Sequence, residues 1–176
     1  GEHTHIGMGA IMKDGKFYNL FAPKDMKADF MSAIGYGAIM GLLKNYEVIN
    51  PFVSATNDSL NRLKPGFEAP VCIVTSLGHT PAVPSRNRTI LAGLIRDINN
   101  PAATRFELRA CNPYTNTYLV LAAIYSAVLD GVEYAASKTT TELLAELSKD
   151  AGDEAGYLEK NRAYRSEKDV FEDYTE

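Results

Sequence analysis

In Arg105-Phe106-Glu107-Leu108-Arg109, three charged residues alternate with two apolar ones. Strand side chains alternate between faces, so Arg105, Glu107 and Arg109 share one side and Phe106 and Leu108 the other. One face is packed and the opposite one strongly charged. Such a face is either an exposed edge with cross-strand ion pairs or the wall of a site for charged ligands. His3 and His5 stand two apart in a strand-like stretch, so both imidazoles project the same way. The pair can ligate one metal, or ligate with one nitrogen and hydrogen-bond with the other; it also occurs as a structural pair. If the two strands are neighbours, Glu107 adds a hard oxygen ligand. Imidazole plus carboxylate without thiolate suits Mg2+ or Mn2+ better than a structural zinc.

The arginines are a stronger clue. Arg62, Arg86, Arg88, Arg96, Arg105 and Arg109 fall at strand ends or in adjoining loops, with Lys64 the only lysine among them. Arg is favoured over Lys where carboxylate or phosphate is held by planar, bidentate contacts. Glu68 follows a Pro-Gly turn, on a loop where a flap or a general base would sit. It reads equally as an ordinary loop acid.

The elements that must position these residues come in mixed order. Residues 2–12 read as a strand, with a turn at Lys13-Asp14-Gly15-Lys16 and a return through Phe17–Phe21. Apolar residues recur at helical spacing from Met26 to Val48. A long loop is expected from Ile49 to Pro70, strands at Val71–Ser76 and Arg88–Arg96, and a loop at Asp97–Thr104. After the charged strand, Asn116 or Thr117 caps a helix running to about Val132, and Thr139–Thr141 caps a last one. Strands and helices separated by long loops argue for an α+β fold rather than a doubly wound sheet.

The totals set limits on partners. The 176 residues suffice for one domain with a real core, or a large piece of a bigger fold. A net charge of −4 gives no electrostatic case for nucleic acid. The charge is unevenly spread: residues 60–110 hold seven Lys/Arg against three Asp/Glu, and residues 142–176 eleven acids against five bases. A basic middle in an acidic protein suits a small anion such as phosphate or carboxylate. Cys72 and Cys111 give no disulfide framework and fit a reducing cytoplasm. Neither a signal peptide nor an apolar run of transmembrane length is expected, and hence no membrane association. Both ends read as cut from a longer protein.

The segments "RLKPGFEAPV", "SRNRT" and "RFELRACNPYTNTYLVLAAIYSAVLDGVE" resemble the C-terminal half of the glutamine synthetase catalytic domain. "GEHTHIGM" is similar to that family's Gly-x-His-x-His-x-Ser segment, with Gly7 in place of Ser. The resemblance covers residues 1–134 and leaves 135–176 as a helical, acidic tail. It implies antiparallel strands forming part of an active-site funnel, packed with helices. His3 and Glu107 would be ligands of a Mg2+ or Mn2+ ion bridging the phosphates of ATP. His5 would lie near the transferred phosphoryl group, and Arg96 and Arg105 would contact nucleotide phosphates. Arg62 would hold the glutamate carboxylate. Glu68 would close over the intermediate and help form the ammonium site, and Arg88 and Arg109 would surround the transferred phosphate and substrate. The implied reaction joins ammonia to glutamate through γ-glutamyl phosphate, in a homo-oligomeric ring whose sites form between subunits.

The chain also departs from the family's pattern. The stretches before Arg88 and between Asn50 and Arg62 are longer than usual, "ACNP" replaces a Pro-Asp-Pro-type turn, and Asp58 stands near a common Asn. These changes suggest a divergent, type III-like bacterial branch and leave the amino-acceptor open. Other metal carboxylates of the family lie upstream of the segment present, so this chain is expected to be inactive alone. Other readings are a glutamate–amine (polyamine-type) ligase, a catalytically dead structural relative, and an unrelated His-x-His oxygenase or hydrolase holding Fe2+ or Zn2+. The last leaves the arginine cluster unexplained.

Overall fold

The computed structural model describes residues 2–59, 73–83, 85, 90–150, 152–154, 157–158 and 163–165. Short strands β1 (Thr4–Ile6), β2 (Gly9–Ile11) and β3 (Phe17–Asn19) lead into helices α1 (Ala33–Lys44) and α2 (Tyr46–Val53). Strands β4 (Ile73–Ser76), β5 (Ala92–Asp97) and β6 (Asn100–Leu108) follow, then α3 (Thr117–Ala135), α4 (Thr140–Leu147) and β7 (Ala163–Arg165). The fold is α+β, as the order of elements suggests.

Five strands form one sheet in the order β1-β6-β5-β4-β7. β6 pairs antiparallel with β1 and β5, whereas β4 runs parallel to both β5 and β7. The sheet is thus mixed rather than purely antiparallel, because the chain recrosses between Ser76 and Ala92 instead of turning back as a hairpin. β2 and β3 make a separate hairpin. Gly15 takes φ +76° in its turn, and the Asp14 carboxylate accepts the Lys16 N–H at 3.0 Å.

The single expected helix from Met26 is replaced by two shorter ones. Ser32 caps α1 by accepting the Gly35 N–H at 3.1 Å, and Asn45 ends it. α2 then runs through Pro51 to Val53, inside the expected loop, because Tyr46, Ile49 and Val53 bury one side. β6 likewise begins at Asn100, also in an expected loop. Pro101 is tolerated there beside a break in the ladder with β5.

Ile6, Leu94, Phe106 and Leu108 bury the helix-facing side of the sheet in one core with Tyr36, Ile39, Met40 and Leu43 of α1. Burying a side chain as large as Phe106 stabilises the fold by about 1.5–3 kcal/mol. α1 and α3 touch backbone to backbone at glycines. A Cβ on Gly131 would lie 2.0 Å from the Gly37 carbonyl oxygen. Contrary to the sequence expectation, the 19-residue α3 is apolar and long enough to cross a membrane by length and composition. Its buried stripe, including Val120, Ile124 and Val128, belongs to the core.

Residues beyond 135 are held rather than loose as far as they are described. Thr139 and Glu142 form a reciprocal cap on α4, whose Leu143 and Leu147 are fully buried. Leu158 is buried with them, and Tyr157 stacks on Tyr134 at 4.1 Å.

Candidate active site

β1 and β6 are neighbours, and their register sets His5 opposite Glu107. The next pairs along, Thr4 with Leu108 and Ile6 with Phe106, turn toward the core or sheet interior. On β5, Gly93 stands opposite Glu107 and Ile95 opposite Arg105. Gly93 carries no side chain, and the Ile90 Cδ1 lies 3.4 Å from where its Cβ would be.

Two linked groups occupy this face. The His3 Nδ1 lies 2.6 Å from Glu107 Oε1, and Arg109 donates to the same oxygen at 2.8 Å. Arg109 is 5% exposed, and its backbone N–H donates to Leu91 O at 2.9 Å, which fixes the main chain beneath the side chain. A carboxylate between an imidazole and a buried guanidinium is oriented by two charge-assisted contacts. Beside it, Arg105 donates through Nε to His5 Nδ1 at 3.0 Å and through a terminal nitrogen to Ala103 O at 2.8 Å. The His5 Nδ1 must be the unprotonated nitrogen to accept, which leaves the ring's donor at Nε2.

His3, His5, Arg105, Glu107 and Arg109 are therefore brought together on one sheet face. Arg96 does not join them. It lies on β5 one residue out of phase with Gly93 and Ile95, which puts it on the opposite side. Its guanidinium donates to Asp29 O at 2.8 Å, to Phe30 O at 2.7 Å and to Met26 O. Burial pulls its pKa down, opposed by the charges of Tyr36 and Asp29. With 6% exposure and its terminal nitrogens committed to carbonyls, Arg96 braces the turn before α1. In this structure it therefore lies apart from the other five, where the resemblance implied a contact to nucleotide phosphate. Arg62, Glu68, Arg86 and Arg88 lie outside the described residues.

His3 and Glu107 supply one imidazole nitrogen and one carboxylate, a donor pair that suits a hard divalent cation. Among the described residues no group of three or more His, Cys, Asp or Glu is gathered for a metal. The pair would fit only as part of a larger ligand set. A cavity of about 910 Å3 opens away from this face, between the β2–β3 hairpin and the chain before α1, lined by Tyr18, Leu20, Pro23 and Met31. None of the five residues of the face lines it.

Sequence reasoning passed over one polar cluster. Asn112 donates from Nδ2 to Thr56 Oγ1 at 3.3 Å and to Ser59 Oγ, and Ser54 Oγ donates to Ala110 O at 2.7 Å. The signal for it was the unusual "ACNP" turn.

Fold and face together define an α+β domain with a carboxylate–imidazole–guanidinium wall on one side of its sheet. A family model described as the glutamine synthetase catalytic domain matches residues 1–156, and the chain belongs to that family. It is 33% identical over 98% of its length to a glutamine synthetase of Azotobacter vinelandii, of which it covers 36%. It is 40% identical over 76% of its length to one from Clostridium saccharobutylicum, covering 27% of that protein. Its structure resembles a Plasmodium falciparum glutamine synthetase at TM-score 0.57 and 28% identity, over 74% of this chain and 23% of that one. The chain thus spans about a third of the length of these curated relatives.

Proposed function

We propose that this chain carries part of the active site of an ATP-dependent glutamate–ammonia ligase. The observation that supports it most is the assembly of His3, His5, Arg105, Glu107 and Arg109 on one face, from strands about a hundred residues apart. In this reading the γ-phosphoryl group of ATP moves to the γ-carboxylate oxygen of glutamate and ADP leaves. The nitrogen of ammonia then attacks the acyl carbon, the phosphate departs with the bond electrons, and the nitrogen loses a proton.

Each residue has a part in that sequence. Arg109, held rigid beside Glu107, presents fixed positive charge to the moving phosphoryl group, which favours a transfer governed by positioning and electrostatics. Arg105 and the His5 it orients face the phosphates. A divalent cation held by His3 and Glu107 would neutralise phosphate charge. Arg62, Glu68 and Arg88 are assigned by the resemblance alone, to the glutamate carboxylate, the ammonium site and the transferred phosphate. The remaining cation ligands come from sequence outside this chain or from neighbouring subunits of a cytoplasmic homo-oligomeric ring, so the 176-residue chain is inactive by itself.

Phosphate release from ATP and glutamate tests this, with the native-length protein compared with this chain. Ammonia-dependent release by the long form alone is expected. Release with a polyamine but not with ammonia would move the acceptor. About one tightly held Zn2+ or Fe2+ per chain and no release would overturn the ligase reading.

A further inference from the structure

We propose that Asn19 is a positioning residue, which stitches a bulge in β6 and so sets where Arg105 stands on the charged face. The inference rests on the ligase reading above for its kinetic arm. The ladder between β5 and β6 pairs Ile95 with Arg105 and then Asp97 with Asn100. Four residues of β6, Pro101–Thr104, therefore stand against the single residue Arg96. On the other flank, β1 pairs with β6 only at residues 106–108. The bulge thus lies outside the ladder on both sides, immediately before Arg105. Its carbonyls are taken up by side chains instead. Asn19 Nδ2 donates to Ala102 O at 3.1 Å and to Thr104 O at 2.7 Å. Between those two, Ala103 O accepts from a terminal nitrogen of Arg105 at 2.8 Å, and the Nε of the same guanidinium donates to His5 Nδ1.

The loop that carries Asn19 is itself anchored. The Leu20 N–H donates to Met8 O at 2.8 Å, Ser32 Oγ donates to Leu20 O at 2.5 Å, and the Ser32 N–H donates to Phe21 O at 2.9 Å. The Phe21 ring packs on Phe106 with centroids 4.8 Å apart. Asn19 therefore reaches the bulge from a fixed base. Both its Nδ2 protons go to β6, while Oδ1 accepts the Phe21 N–H at 2.9 Å. Carbonyls two residues apart in extended chain stand well apart, so each takes its own proton. The Oδ1 contact is a local turn that an aspartate would make equally well. The Nδ2 contacts, more than eighty positions along the chain, need an amide. A bulge beside a site re-aims a side chain when its extra residues are held in one conformation. Asn19 supplies that hold, and the side chain it aims is Arg105. Without the amide, Ala103 O is free to shift, and Arg105 loses one of its two fixed contacts.

The test uses the native-length protein with Asn19→Asp and Asn19→Ala. Aspartate keeps the turn to Phe21 and loses both ties to β6, whereas alanine loses all three. Amide hydrogen exchange in residues 102–106 is expected to rise about tenfold in both variants, with α3 unchanged. Exchange at Phe21 should rise in Asn19→Ala alone. The kcat/KM for ATP should fall about tenfold in both. In an Arg105→Lys background, which keeps the charge but not the guanidinium fork, Asn19→Asp should cost less than about threefold. Unchanged exchange at 102–106 in Asn19→Asp would overturn the proposal, since the side chain would then serve the turn alone. Faster exchange with unaltered kcat/KM would overturn it too, as would an equal kinetic cost with and without Arg105→Lys. Equal loss of protection through α3 would mark Asn19 as a general stability residue and sink the idea as well. If the wild type shows no glutamate-dependent phosphate release from ATP, the ligase reading fails, and hydrogen exchange alone decides whether the stitch exists.

Discussion

Arg96 and Arg109 carry the same guanidinium and are nearly equally buried, yet the structure gives them opposite work. Arg109 faces a carboxylate and the open side of the sheet. Arg96 faces backbone carbonyls on the closed side. Their substitutions should separate accordingly. Arg109→Ala is expected to lower kcat/KM for ligation by about 10²–10³, in line with the loss of one preorganised charge-stabilising donor. Its stability should fall by only about 2 kcal/mol, since Glu107 keeps His3. Arg96→Leu strips Met26, Asp29 and Phe30 of a shared donor and should lower unfolding free energy by about 3 kcal/mol in urea titration. The KM for ATP should not change. A raised KM for ATP with an unaltered urea midpoint would restore Arg96 to the phosphate site.

Among the elements, α1, α3 and α4 make the clearest demands. The glycines of α1 mark a close helix crossing, and Gly131 of α3 completes it. Gly131→Ala would press a methyl group onto the Gly37 carbonyl, with backbone on both sides and nothing flexible to yield. A loss of about 3 kcal/mol or more is expected in urea titration, against about 1 kcal/mol for Gly15→Ala in its open turn. The cap of α4 adds a pH signature. The backbone N–H and hydroxyl of Thr139 hold Glu142 below its ordinary pKa. Hydrogen bonds from Tyr157 and Asn45 do the same for Asp130. Both carboxyls are depressed in the folded state. Their contribution is therefore present above the unfolded carboxylate pKa of about 4 and is lost as pH falls through the folded value. Urea midpoints should drop below about pH 4, and less steeply in Glu142→Gln.

The sequence disclosed some of these elements better than others. The alternation at 105–109 and the two-residue spacing of His3 and His5 were visible because strand parity is local. Arg96 was equally open to parity: Ala92, Leu94 and Arg96 share the buried phase, while Gly93 and Ile95 share the phase of the charged face. Its role was taken from resemblance instead. Pro51 and Pro101 hid the end of α2 and the start of β6, because propensity does not register the burial of Ile49 and Val53 or a break in a ladder. The Asn112 cluster depends on hydroxyls distant in sequence, which no local pattern exposes.

At the scale of the molecule, the sheet separates a packed helical side from a charged one, and the helical layer has an unfinished exterior. Tyr118, Leu121, Tyr125 and Leu129 follow one another along α3 at helical spacing and remain exposed. Contiguous apolar surface of this kind invites dye binding and self-association. The 176-residue chain should enhance the fluorescence of an apolar dye, and Leu121→Lys with Leu129→Lys should reduce that signal while far-ultraviolet circular dichroism is unchanged. An undiminished signal would place the dye elsewhere, with the cavity beside Tyr18 and Met31 the next candidate.

The pairing of β1 with β6 also imposes an order in time. His5 meets Arg105 across 100 residues of intervening chain. On a ribosome elongating at roughly 5–20 residues per second, the first strand would wait about 5–20 s for its partner to be made. Through that interval the imidazoles have neither their carboxylate nor their guanidinium, while the β2–β3 hairpin and α1 can already form from nearby residues. The chemical face is thus completed only once Arg109 has been made, ahead of α3, α4 and β7, and a nascent chain released before Arg105 would hold α1 and α2 but neither the carboxylate nor the arginines of the wall.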